Sequence, residues 1–204
     1  MANIDYYFAG ISPFSYLGHR AIEAVARKHG CGIAYKPVIL PELFEVSGAL
    51  PPAKRPPVRQ RYRLLELQRV AEMRGLPINL KPKHFPVDPA LADQAVIALL
   101  DARQDPTDYM FRVFSAVWAQ DENVSDPRVV ERVLDESGFD GAAFLEAAQS
   151  ESVAETRRQN TKEAIEADAV GVPAYVLNGE VFWGQDRIEL LDRALESGRA
   201  PFHP

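Results

Sequence analysis

One cysteine, Cys31, is all the thiol that this chain of 204 residues possesses. No disulfide can close within it, and no zinc site can be built from thiolates. Cys31 follows a helix end in HGCGIAY instead of opening a helix, so it reads as a small buried hydrophobe and not as an activated nucleophile. Positive charge is also short. Lys and Arg number 23 against 29 Asp and Glu, a net charge of −6, which argues against general nucleic-acid binding. Long apolar runs are missing: none approaches the roughly 18–20 residues of a membrane span. The chain goes straight into a strand, without the basic and apolar regions of a signal peptide, so a cytoplasmic protein is expected. What is present, 47% hydrophobic and 25% charged residues, is the composition of a globular protein long enough to bury a substantial core.

The stretch Ile4–Leu17, IDYYFAGISPFSYL, organises the rest. Tyr6, Tyr7 and Phe8 form a short aromatic run suited to a central strand. Ser12 is a favoured N-cap, and Pro13 suits the first helical position, where a missing N–H removes no hydrogen bond. The Ser12 hydroxyl thus stands at the positive end of a helix dipole, a place that favours an anion; a plain capping role is the alternative.

Phe14–His29 follows as a helix stopped by Gly30, and Gly32–Leu40 reads as a second strand. Strand, helix, strand at this spacing implies a parallel pair with a right-handed crossover. The texture then changes. Residues 41–57 read as a proline-rich loop, and Val58–Arg74 as a helix with Val58, Tyr62, Leu65 and Val70 near one face. Lys54–Arg74 holds seven Lys or Arg against two Glu, either a solvated face or a patch that attracts a small anion. Three Asp-Pro pairs, Asp88-Pro89, Asp105-Pro106 and Asp126-Pro127, each read as an N-cap followed by the first helical residue. Their aromatic and aliphatic stripes read as core. Strand character returns in Ala174–Leu177 and Glu180–Trp183 around Asn178-Gly179, a strong hairpin signal, before a last helix. The expected class is α/β: a small sheet domain over 1–40 and 170–204, interrupted by an inserted helical domain over 41–169.

This β-α-β … β-β-α frame, with a helix-starting motif after the first strand and Val-Pro before the third, resembles the thioredoxin fold. Redox members carry Cys-x-x-Cys where this chain has Ser12-Pro13-Phe14-Ser15, so disulfide exchange has no thiol to use. The paired motifs ISPFSYLG and GVPAYVLNGEVFWGQDR resemble those of the 2-hydroxychromene-2-carboxylate isomerase family, related to kappa-class glutathione transferases and DsbA-type oxidoreductases. The resemblance implies glutathione as cofactor. It places Ser12 beside the glutathione sulfur as the catalytic residue, Pro173 as a cis-proline, and Val172 with its main chain free to pair with the cysteinyl part. It also places Gln185, Asp186 and Arg187 at the γ-glutamyl end, where Asp186 has the alternative role of capping the last helix. Ser15 reads as helix surface or inner lining.

For the substrate half, the resemblance aligns Phe44 with a family lysine, Lys54-Arg55 with an Asn-Arg pair, and His84 with a tyrosine. Arg55 suits a bidentate grip on a carboxylate, with Lys54 as a second charge. His84 is either a loop histidine or a proton shuttle. The expected activity is glutathione-dependent cis–trans isomerisation of an unsaturated aromatic carboxylate, by a homodimer, with no metal, nucleic acid or membrane involved. The alternatives are a kappa-like transferase and a non-catalytic module binding extended peptides beside Pro173.

Overall fold

The computed structural model describes residues 2–203. Strand β1 (Asn3–Phe8) lies at the centre of a four-stranded sheet of order β2-β1-β3-β4. It pairs in parallel with β2 (Gly32–Pro37), Ile4 opposite Ile33, and antiparallel with β3 (Ala174–Leu177), Tyr6 opposite Tyr175. The hairpin to β4 (Glu180–Trp183) turns through Asn178 and Gly179, both at positive φ (53° and 85°), as an Asn-Gly turn requires. Side chains alternate across a strand. Ile4, Tyr6 and Phe8 therefore enter the main core, while Tyr7 enters a smaller one with Val38, Leu43, Ala164 and Val176 on the other face.

Helix α1 (Pro13–His29) connects β1 to β2 and ends at Gly30 in the left-handed region. Between β2 and β3 run α2 (Leu40–Ser47), a 3-10 turn (Pro52–Lys54), α3 (Pro57–Arg74), α4 (Ala90–Asp101), α5 (Thr107–Trp118), α6 (Pro127–Glu136), α7 (Gly141–Ala148) and α8 (Glu151–Glu166). A 3-10 turn (Gln185–Arg187) leads into α9 (Ile188–Ser197). The main core is continuous from the sheet into these helices: Phe8 meets Phe114 edge-on at 5.9 Å, and Trp118 is wholly buried. No helix of the described residues is long and apolar enough to cross a membrane.

Three local readings are corrected. The supposed loop after β2 contains helix α2, and β2 stops at Pro37 instead of running to Leu40. Pro41 falls in the first turn of α2, where no N–H is needed, and Thr161 Oγ1 takes the Ile39 N–H (2.9 Å) at its start. In α3, Leu67, Val70 and Ala71 face inward, whereas Val58, Tyr62 and Leu65 are exposed. Of the Asp-Pro pairs only Asp126-Pro127 has the expected phase. In α4 and α5 the proline itself is the N-cap, and Asp88 and Asp105 accept the N–H two residues on, at 3.0 Å each.

Candidate active site

The loop from β1 into α1 is pinned at successive residues. Gly10 N–H donates to Asp93 Oδ1 (2.8 Å), Trp118 Nε1–H donates to the Ile11 carbonyl (3.2 Å), and Ser12 N–H donates to the Ala9 carbonyl (2.8 Å). Ser12 is the N-cap of α1, its Oγ accepting from Ser15 N–H at 3.1 Å. With a lone pair so engaged, its own proton is left to donate. The protein acceptor within reach is the Val172 carbonyl at 3.5 Å, at the outer limit of a hydrogen bond. Ser12 is therefore a nearly free donor, set at the N-terminus of a 17-residue helix. Ser15 is fully buried, inner lining and not surface, and its hydroxyl has no partner among the described residues.

Ser12 and Val172 border a cavity of about 640 Å³. Phe44 of α2 lines it, as do Lys54, Arg55 and Arg63 from the turn before α3 and from α3 itself. Phe85 and Pro86 complete the wall, joined, like Val172-Pro173, by a cis peptide bond. Three cations thus face one acid, Glu45. Arg55 donates from Nε to the Leu50 carbonyl (2.7 Å); burial and Arg59 pull its guanidinium below the usual arginine range. Burial, with Arg55 adding repulsion, pushes Arg63 down to about 10.

The structure therefore gathers Ser12, Val172, Phe44, Lys54 and Arg55 around one cavity and leaves the other expected residues outside its wall. His84 adjoins the wall through Phe85 without lining it. Pro173 accepts the Gly184 N–H through its carbonyl (2.8 Å). Gln185 is buried, with Oε1 unpartnered among the described residues. Asp186 and Arg187 pair with each other at 2.6 Å on the surface. Asp186 does not cap α9, whose N-cap is Arg187, because the 3-10 turn intervenes. Sequence reading missed Arg63, whose signal is its place one turn before buried Leu67, and Asp93, an acid set in the apolar run of α4.

The DSBA-like thioredoxin domain, as a family model, matches residues 3–196. The chain belongs to this family. Within it, this DSBA-like chain is similar to a 2-hydroxychromene-2-carboxylate isomerase of Sphingobium xenophagum, 28% identical over 94% of the chain and 97% of the relative. A solved structure of a 2-hydroxychromene-2-carboxylate isomerase superposes with a TM-score of 0.83 at 27% identity, covering 96% of this chain and 95% of the other. Glutathione S-transferase kappa 1 of Caenorhabditis elegans is 24% identical over 96% of this chain and 92% of its own. The DSBA-like fold is thus present with serines, Ser12 and Ser15, in the motif after β1.

Proposed function

We propose that this protein is a glutathione-dependent cis–trans isomerase of an unsaturated aromatic carboxylate, of the 2-hydroxychromene-2-carboxylate isomerase type. One observation carries the reading: the Ser12 hydroxyl, its lone pair held by Ser15 N–H, has a proton to donate beside a cavity whose wall bears Lys54, Arg55 and Arg63. That donor set fits a thiolate, which needs hydrogen-bond donors and a positive field and no base. Bound glutathione would supply the sulfur that adds reversibly to the conjugated double bond, leaving a single bond that rotates. Ser12 and the α1 N-terminus hold that sulfur in its anionic form. The cationic wall holds the carboxylate and takes up the negative charge that develops on the conjugated oxygen. Val172 offers main-chain groups to the cysteinyl part, and Gln185, Asp186 and Arg187 are assigned to the γ-glutamyl end beyond the cavity. Phe44 gives the substrate an apolar surface, and His84 stands ready near the rim to move a proton.

Turnover of 2-hydroxychromene-2-carboxylate with substoichiometric glutathione tests this. Many turnovers per glutathione, with the thiol recovered unchanged, are expected; no interconversion sinks the reading. The resemblance to a kappa glutathione transferase supports a second reading, transfer, which a stable thioether accumulating with an electrophilic nitroaromatic would establish instead.

We further propose a cytoplasmic homodimer. Its support is the apolar stripe of α3, with Val58, Tyr62, Leu65 and Met73 between 48% and 66% exposed. Sedimentation is expected at twice the chain mass, and at the monomer mass once Tyr62 and Leu65 become acids; a monomeric wild type refutes it.

A further inference from the structure

Arg63 stands at a position that helix geometry reserves for core. It precedes Leu67 by four residues and Val70 by seven, and those two are 0% and 7% exposed. Its guanidinium lies over the rings of Phe85 (5.9 Å) and Trp118 (5.7 Å), which pack on one another at 4.9 Å. Among the described residues no carboxylate lies within ion-pair reach of it, and no protein acceptor takes any of its N–H groups. Every other arginine except Arg55 either pairs with a carboxylate or is exposed. Arg55 already gives Nε to the Leu50 carbonyl, which leaves Arg63 as the one guanidinium in the cavity wall with its whole fork free.

A half-buried, unpaired cation is unfavourable, and contact with two aromatic rings offsets only part of that. Such a residue is at ease only when an anion enters beside it. We propose that Arg63 is the specificity-determining residue of the cavity, gripping the ligand's carboxylate through two parallel N–H bonds while the Phe85–Trp118 pair receives its planar body. Lys54 and Arg55 are then left for the oxygen on which charge develops. This rests on the reading of the cavity as the substrate pocket. Burial pushes the guanidinium down to about 10, so it stays charged at neutral pH.

Calorimetry on the full chain tests the assignment, with trans-cinnamate and its neutral isostere cinnamamide as probes and glutathione titrated separately. The wild type is expected to prefer the acid by roughly tenfold or more, the discrimination a charged bidentate pair supplies. Arg63→Met is expected to bring the two probes to about the same affinity, and Arg63→Lys, which keeps the charge without the fork, to fall between. Glutathione affinity and the melting temperature should hold or rise in Arg63→Met, since an unpaired cation is removed; a falling melting temperature would mark a structural role and overturn the proposal. It is also overturned if the wild type does not discriminate, or if Arg55→Met and not Arg63→Met abolishes the preference. Glutathione failing to bind while the Arg63-dependent preference stands would sink the cofactor reading and leave this one supported.

Discussion

Ser12→Ala is expected to lower glutathione-dependent turnover near neutral pH by about ten- to a hundredfold, the equivalent of one charge-assisted hydrogen bond of roughly 1.5–3 kcal/mol. A free thiol titrates at about 8.5, so only a few per cent is thiolate at pH 7. The hydroxyl of Ser12 raises that fraction by donating to sulfur, and its removal should move the acid limb of the pH–rate profile upward by about one to two units. The loss should therefore shrink as the pH rises past the titration of the free thiol. Alanine also removes the α1 cap, at a cost of about 1 kcal/mol of stability. Ser12→Gly separates the two effects, because glycine caps nearly as well and has no hydroxyl. If the glycine variant keeps the wild-type profile, Ser12 is a cap and nothing more.

Where local chemistry was strong, the chain could be read without its structure. The aromatic run of β1, the Ser-Pro opening of α1 and the Asn-Gly turn between β3 and β4 each depend on neighbours within a few residues, and each formed where expected. Readings failed where position relative to the rest of the fold decided. Val58, Tyr62 and Leu65 could face the core as readily as Leu67 and Val70, and nothing local says which stripe of α3 meets α1. Pro41 signals a loop as readily as a first helical turn, and α2 is short enough, with only Leu43 fully buried, to carry no clear period. The same limit applied to the site. Ser12 and Val172 come from motifs and converge, their hydroxyl and carbonyl 3.5 Å apart across a separation of 160 residues. Arg63 looked like one more charge on a basic helix, and Asp93 finds its partners only through folding: Gly10 is 83 residues away and Arg157 is 64.

Asp93→Ala should destabilise the fold by about 3–5 kcal/mol, because it leaves a buried charge without its partner. The Asp93 carboxyl is 1% exposed and receives Gly10 N–H on one oxygen (2.8 Å) and Arg157 Nη2 on the other (2.9 Å); the same nitrogen also reaches the Val38 carbonyl (3.2 Å). Four segments meet there: the loop before Ser12, the end of β2, α4 and α8. Asp93→Ala/Arg157→Met should recover much of the loss, since the stranded cation goes too, but not the acceptor for Gly10. Burial pushes Asp93 up to about 6 against the pull of Arg157 and the Gly10 N–H. The folded protein therefore keeps a proton that the unfolded chain, at about 3.9, has already released. The proton-linked part of Asp93's contribution is accordingly full below the unfolded value and is lost as pH rises through about 6. Denaturation in urea should show the gap between wild type and Asp93→Ala widening from pH 7.5 toward pH 5, by about 1.4 kcal/mol. A gap that narrows over this interval would mean that the ionised pair is the stabilising form. In Asp93→Asn the side-chain carbonyl can still accept from Gly10, so the loop that carries Ser12 should stay in place and turnover should survive better than in the alanine variant. Equal loss of turnover in both would separate the Gly10 contact from the positioning of Ser12.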